Sequence, residues 1–156
     1  MTGISVRVAG ADDVPALAWL RRVWTGEVGG AADDPGFEER FAAWCASEAG
    51  RRLIWIAEAD GAPIGMVNLA LFERMPRPGV APSRWGYLAN AFVLAAYRDR
   101  GVGRLLMDAL LDHARTAGLV RVVLSPTERS VPFYERAGFG PADMLLVQEP
   151  LEPDRQ

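Results

Sequence analysis

The residues best suited to chemistry lie in one stretch, Phe92-Val93-Leu94-Ala95-Ala96-Tyr97-Arg98-Asp99-Arg100-Gly101-Val102-Gly103-Arg104. An apolar run that reads as a strand enters a turn with two glycines, and a helical pattern opens at once. Glycine at such places lets a ligand approach the backbone closely. The first N–H groups of a helix have no internal partners, and the macrodipole makes that end positive. Together these features suit a phosphate anion. Arg98, Arg100 and Arg104 against Asp99 leave a local charge of +2 in a chain whose formal net charge is −3. Two nucleotide readings fail. A P-loop needs a lysine, and all 17 basic residues are arginine. A dinucleotide fingerprint needs a third glycine where Leu106 stands, and an acidic residue where Ser125 stands. A tight turn with solvated arginines is the remaining alternative.

The elements that must position this turn are legible around it. Residues 4–9 are β-prone. Asp12 reads as a helix N-cap with Asp13 and Pro15 in the first turn, and Val14, Leu17, Leu20, Val23 and Trp24 recur at helical spacing. Residues 26–36 read as a mobile loop. Phe37, Phe41, Trp44 and Cys45 form the stripe of a second helix. Residues 53–58 and 63–72 are β-like, with Asp60-Gly61 as a hairpin signal. Residues 73–84 hold three Pro, one Gly and three Arg and read as a loop. Trp85 to Leu94 is apolar on both parities, which predicts a strand buried on both faces. Residues 103–117 form a helix stopped by Gly118, and 120–124 a short buried strand. Ser130 reads as the cap of a short helix ended by Gly138, and Met144 to Gln148 as a final strand. The order β-α-α-β-β-β-α-β-α-β predicts an α+β fold with a central mixed, mostly antiparallel β-sheet flanked by helices.

Composition narrows the classes. The 156 residues predict one domain spanning 1–156. One Cys and one His exclude an internal disulfide and a structural zinc site. No apolar run approaches the roughly 20 residues of a membrane helix, and the first seven residues lack signal-peptide features, so a cytoplasmic protein is expected. A mildly acidic chain is a poor generic partner for nucleic acid. The absence of lysine points to a GC-rich, bacterial genome.

Arg98-Asp99-Arg100-Gly101-Val102-Gly103 resembles the Arg/Gln-x-x-Gly-x-Gly/Ala signature of the GNAT superfamily of acyl-CoA N-acyltransferases. Thr127-Glu128-Arg129-Ser130-Val131-Pro132-Phe133-Tyr134-Glu135-Arg136-Ala137-Gly138-Phe139 is similar to the family's Asn-x-x-Ala-x-x-x-Tyr-Glu-Lys-x-Gly-Phe segment. The element order matches along essentially the whole chain. The resemblance implies an N-acetyltransferase that moves an acetyl group from acetyl-CoA to a primary amine by direct attack in a ternary complex, with no metal. The turn amides at Arg98, Arg100, Gly101, Val102, Gly103 and Arg104 would hold the CoA pyrophosphate. Phe92, Val93 and Leu94 would lie along pantetheine, and the N–H near Val93 would polarise the thioester carbonyl. Ala95-Ala96 departs from the family's usual Pro-Glu, which matters little in a backbone site.

Tyr134 corresponds to the family's tyrosine and would protonate the leaving thiolate; packing against CoA is its other reading. An alkyl ammonium with a pKa of about 10 must lose a proton before it attacks. Many members use an acid on the fourth strand, but 85–94 contains none. Asn90 is its one strongly polar side chain and would orient water or acceptor, or be a bonded core residue. Glu73 is a second candidate base. Thr127 and Ser130 would flank pantetheine or cap the helix. His113 and Cys45 read as structural, and Trp24, Trp44 and Trp55 as core; Trp85 and Tyr87 open the fourth strand, where the acceptor site would begin. Glu27, Asp33 and Asp34 would favour a cationic amine, and Arg74, Arg77 and Arg84 a carboxylate. The acceptor is a small-molecule or peptide amine. Members often form homodimers, and the edge of the final strand offers one route. The alternative is a non-catalytic acyl-CoA-binding or regulatory module of the same fold.

Overall fold

The computed structural model describes residues 3–149. The chain divides into two units, Met1–Ser125 and Pro126–Gln156. The first holds one five-stranded sheet in sequence order, β1 (Ile4–Val8), β2 (Arg52–Ala59), β3 (Ala62–Glu73), β4 (Arg84–Val93) and β5 (Val122–Val123). The first four strands pair antiparallel, and β4 pairs with β5 in parallel. The α+β fold with a mixed, mostly antiparallel sheet is therefore as expected.

Between β2 and β3 the chain turns on two residues, Asp60 and Gly61, both at positive φ (50° and 83°). That left-handed pair matches the twist of the flanking strands, which is why Asp-Gly marks the hairpin. Helix α1 (Val14–Glu27) starts one residue later than the sequence suggests. A 3₁₀ turn at Ala11–Asp13 precedes it; neither Asp12 nor Asp13 caps α1 through its side chain, and the Asp13 carboxylate instead accepts from the Gly10 N–H at 2.7 Å and pairs with Arg7 at 2.7 Å. Helix α2 (Phe37–Glu48) follows, and α3 (Val102–Thr116) joins β4 to β5. Gly118, at φ 70°, ends α3; Leu119 N–H returns to the Ala114 carbonyl and Gly118 N–H to the Arg115 carbonyl, satisfying two otherwise orphaned acceptors.

Successive strand residues point to opposite faces. Ile56 packs with Leu17 and Leu20 of α1, while its neighbour Trp55 meets His113 of α3 edge-on at 5.6 Å. The sheet is thus sandwiched between α1 and α3, and β3 is buried from Ile64 to Ala70. Each fully buried Leu or Ile here contributes roughly 1.5–3 kcal/mol.

Three expectations change. β4 is not buried on both faces, because Asn90 and Ala91 are exposed. The strand at 120–124 shrinks to Val122–Val123, half-buried. Residues 144–148 form no strand, and Met144, Leu145, Leu146 and Val147 are exposed; no hydrogen-bonded neighbour fixes them, so their apolar character alone does not make a strand. The homodimer route through that edge falls with it.

The second unit contains α4 (Val131–Arg136), preceded by a 3₁₀ turn at Glu128–Ser130.

Candidate active site

The glycine turn is built by backbone. After β4, Tyr97 N–H bonds the Leu94 carbonyl at 2.9 Å and Arg98 N–H the Ala95 carbonyl at 3.3 Å. Asp99 and Gly101 then take positive φ (60° and 83°). A Cβ on Gly101 would meet nothing within 4 Å, so conformation and not space selects glycine. The first helical bond runs from Leu105 N–H to the Gly101 carbonyl at 3.0 Å. Ahead of it, the N–H groups of Val102, Gly103 and Arg104 have no acceptor among the described residues.

The arginines contribute less charge than their number suggests. Arg98 pairs with Glu27 at the end of α1, and its Nε donates to the Val93 carbonyl at 3.0 Å. Arg104 pairs with Asp108 one turn along at 3.1 Å. Arg100 covers the Tyr97 ring at 5.7 Å and makes no ion pair among the described residues.

Beside β4 the sheet opens. β5 accompanies it only at Gly86 and Tyr87, where the Tyr87 hydroxyl donates to Ser125 Oγ at 2.7 Å. From Leu88 to Val93 no strand lies on that side among the described residues. Leu94 N–H bonds Ile64 of β3 at 2.8 Å, so by alternation the N–H and carbonyl of Val93 face the open side. The side chain of Phe92 does not: it is buried in the α1 core, stacked on Trp24 at 5.4 Å. Leu94 also packs against that core.

Halfway along this open segment β4 carries a bulge. Met66 faces Phe92 and Asn68 faces Ala89, so Asn90 and Ala91 together oppose Val67. Asn90 takes φ 55°, which asparagine tolerates better than most residues. Its Oδ1 accepts from Asn68 Nδ2 at 2.9 Å; Asn68 Oδ1 accepts from Arg52 at 2.7 Å; Arg52 pairs with Glu48 at 2.7 Å. Asn68 is 4 % exposed, so this chain satisfies a buried amide.

A cleft of about 200 Å³ opens at the bulge, lined by Leu17 and Arg21 of α1, Phe37, Phe41 and Trp44 of α2, and Asn68 and Asn90 of the sheet. The sequence reading assigned Trp44 to the core and did not single out Arg21, Asn68, Phe37 or Phe41 for a site. Two signals were present: Arg21 interrupts the apolar face of α1 four residues after Leu17, and Asn68 interrupts the apolar run of β3.

Other candidates lie elsewhere. Glu73 is at the far end of β3, opposite Arg84 and five residues from Asn68, about 17 Å along a strand. Cys45 lines a separate apolar groove of about 450 Å³, and burial raises its thiol pKa. Trp85 stacks on Phe72 at 4.5 Å. Two of the three acids at the α1–α2 connection are engaged: Glu27 with Arg98 and Asp34 with Arg40. Arg22 pairs with Glu38 and donates to the carbonyls of Ala32 and Asp34, so this loop is tied down rather than loose.

In the second unit, Thr127 and Ser130 cap reciprocally. Ser130 N–H donates to Thr127 Oγ1 at 3.3 Å, and Thr127 N–H to Ser130 Oγ at 3.0 Å. The cap is Thr127, at the start of the 3₁₀ turn, with Ser130 as its reciprocal partner; Ser130 does not cap α4 through its side chain, as the sequence suggested, and both hydroxyls are occupied by this box. Tyr134 packs edge-on against Phe133 at 5.2 Å and Phe139 at 5.8 Å, and burial raises its phenol pKa.

Among the described residues no helix is long and apolar enough to cross a membrane, and no group of three His, Cys, Asp or Glu side chains could hold a metal.

An open strand edge thus precedes a glycine turn and a helix start with unpartnered amides. The sequence model of the acetyltransferase (GNAT) family matches residues 15–139. The chain belongs to that family. It is similar to glucosamine 6-phosphate N-acetyltransferase of Trypanosoma brucei brucei, 30% identical over 86 residues, which are 55% of this chain and 56% of the relative. A rice protein, glucosamine 6-phosphate N-acetyltransferase 1, is 29% identical over 108 residues, 68% of this chain and 63% of that one. The matches thus span somewhat over half the length of these curated relatives. The fold is that of a predicted acetyltransferase from Clostridium acetobutylicum solved with acetyl-CoA, at TM-score 0.75 and 20% identity, covering 93% of this chain and 95% of the other.

Proposed function

We propose that residues 1–156 form one acetyl-CoA-dependent N-acetyltransferase domain that acetylates a primary amine by direct attack in a ternary complex. One observation carries this reading: the unpaired side of β4 is followed, past one tight turn, by the unpartnered amides of Val102, Gly103 and Arg104. Pantetheine amides would complete the β4 ladder, and the pyrophosphate would take the helix N-terminus. Arg98 and Arg100 border that cradle, Gly101 gives it its shape, and Val93 and Leu94 lead into it. A fold neighbour solved with acetyl-CoA and curated relatives named for N-acetyl transfer support the assignment.

The amine nitrogen attacks the thioester carbonyl carbon, the carbon–sulfur bond breaks, and the nitrogen loses a proton. The N–H of Val93, facing the open side, stabilises the developing oxyanion. Asn90, exposed at the bulge, orients the acceptor or a water. Tyr134 is the proposed acid: a phenol, with an ordinary pKa of about 10, carries its proton at neutral pH. Among the described residues no carboxylate lines the cleft. A water chain then carries the amine's proton out.

The missing carboxylate also favours a second reading, a non-catalytic acyl-CoA-binding module of the same fold. Thermal shift with acetyl-CoA, CoA, ATP and NAD tests the cofactor class, and thiol release against an amine panel separates the two readings. Stabilisation by acetyl-CoA is expected, about 2.7 kcal/mol at a hundred times the dissociation constant. No shift with any CoA species overturns both. In Tyr134→Phe, turnover falls roughly 10²-fold or more while the acetyl-CoA shift is kept; unchanged turnover removes the acid role.

A further inference from the structure

Among the described residues, Arg21 is the one cation that lines the cleft, and it makes no ion pair there. Arg52, the nearest in chemistry, is held by Glu48 and Asn68. The guanidinium of Arg21 lies 4.2 Å over the Trp24 ring, which covers its face but leaves its N–H edge donors free. Nη1 is buried from solvent and has no acceptor among the described residues. Leaving a buried charged donor unpaired is costly, so such a group asks for an anion. Trp24 in turn stacks on Phe92, two residues beyond Asn90, so the ring stack holds the guanidinium against the bulged strand.

The rest of the cleft limits what the anion is attached to. Leu17, Phe37, Phe41, Trp44 and Ile54 make apolar walls, and Asn68 Oδ1 and Asn90 Oδ1 are already bonded. A sugar would leave several hydroxyls without partners there. One planar guanidinium matches a carboxylate in the bidentate manner, whereas a phosphate dianion asks for more donors than the cleft offers. At about 200 Å³ the cleft is below the roughly 300–1,000 Å³ of drug-sized sites.

We infer that the acceptor is a small amino acid-like amine: a carboxylate bound by Arg21, an apolar or aromatic body against α2, and a primary amine directed to Asn90. This rests on the acetyltransferase reading above and names its substrate class. Arg21 is then a specificity-determining residue, set on a helix whose other end is joined to the cofactor turn by Glu27 and Arg98.

The test compares matched amines with and without the carboxylate: phenylalanine against phenethylamine, and leucine against isoamylamine. Glucosamine 6-phosphate serves as the phosphate arm. The expected result is a kcat/KM at least about tenfold higher for each amino acid than for its decarboxylated partner. In Arg21→Gln that ratio falls to about one, chiefly through KM, while the acetyl-CoA thermal shift shows that the variant is folded. Saturable quenching of tryptophan fluorescence by N-acetylphenylalanine, lost in Arg21→Gln, reads the same contact without catalysis. Equal use of both members of a pair, an unchanged ratio in the variant, or preference for glucosamine 6-phosphate overturns the inference. An acetyl-CoA shift without product quenching also overturns it while leaving the cofactor reading intact. Absence of an acetyl-CoA shift in the unaltered protein overturns the parent reading and with it the acceptor role; quenching that persists then shows a carboxylate-binding cleft without transfer.

Discussion

The two halves of the candidate site are made of different material. The cofactor half is a strand edge and a helix start, and its donors are main-chain N–H groups. The acceptor half is a convergence of side chains from α1, α2 and three strands. A backbone site tolerates substitution as long as the path of the chain is kept. A side-chain site changes its ligand with a single residue.

The largest effect that would break the comparison is expected at Gly101. Gly101→Val places a β-branched residue at φ 83°, a conformation that costs roughly 1–2 kcal/mol even without branching. It should abolish the acetyl-CoA thermal shift and leave quenching by N-acetylphenylalanine intact. If both signals vanish together, the two halves are not separable. Next comes Asn68→Ala, which strips the acceptor from Arg52 and the donor from Asn90 at a buried position. A loss of about 1–3 kcal/mol in denaturant unfolding is expected, with the acceptor KM rising more than that of acetyl-CoA.

A smaller effect should join the halves. Arg98→Ala, Glu27→Ala and the double variant form a cycle whose coupling in stability should be about 1 kcal/mol or less, because both side chains are partly exposed. Zero coupling would make this pair ornamental. The smallest effect is a pH control outside the site. Arg7 hydrogen-bonds Asp13 and, with the Gly10 N–H, holds its pKa at about 2, below the ordinary 3.8. A depressed folded pKa gives stability that is present above pH 3.8 and lost as pH falls toward 2. Asp13→Asn should flatten the fall in melting temperature over that window without altering acetyl-CoA binding.

The same contrast decides what was legible in the sequence. The turn was readable because strand, glycine and helix start follow one another along the chain. Asp60-Gly61 and Gly118 were readable for the same local reason, and the cap at Thr127 and Ser130 nearly so. The cleft was not, because Leu17, Phe41, Asn68 and Asn90 meet only after the sheet and helices pack. The bulge was hidden too: an apolar run with one asparagine does not reveal that two residues share a single partner. Residues 144–148 misled in the opposite direction, since apolar character without a neighbouring strand builds no ladder.

The two-residue β5 has one more consequence. A strand flank left without a neighbour is a template for foreign polypeptide, and proteins ordinarily shield such flanks. Under the proposed reading, the fold cannot shield this flank without closing it to pantetheine. The kink at Asn90 and Ala91 resolves that conflict. It breaks the regular spacing that an intruding strand would need over several residues, while a short amide-bearing arm needs only one or two contacts. Under the proposed reading, the irregularity would disfavour pairing by a long regular strand while leaving room for a thin flexible arm.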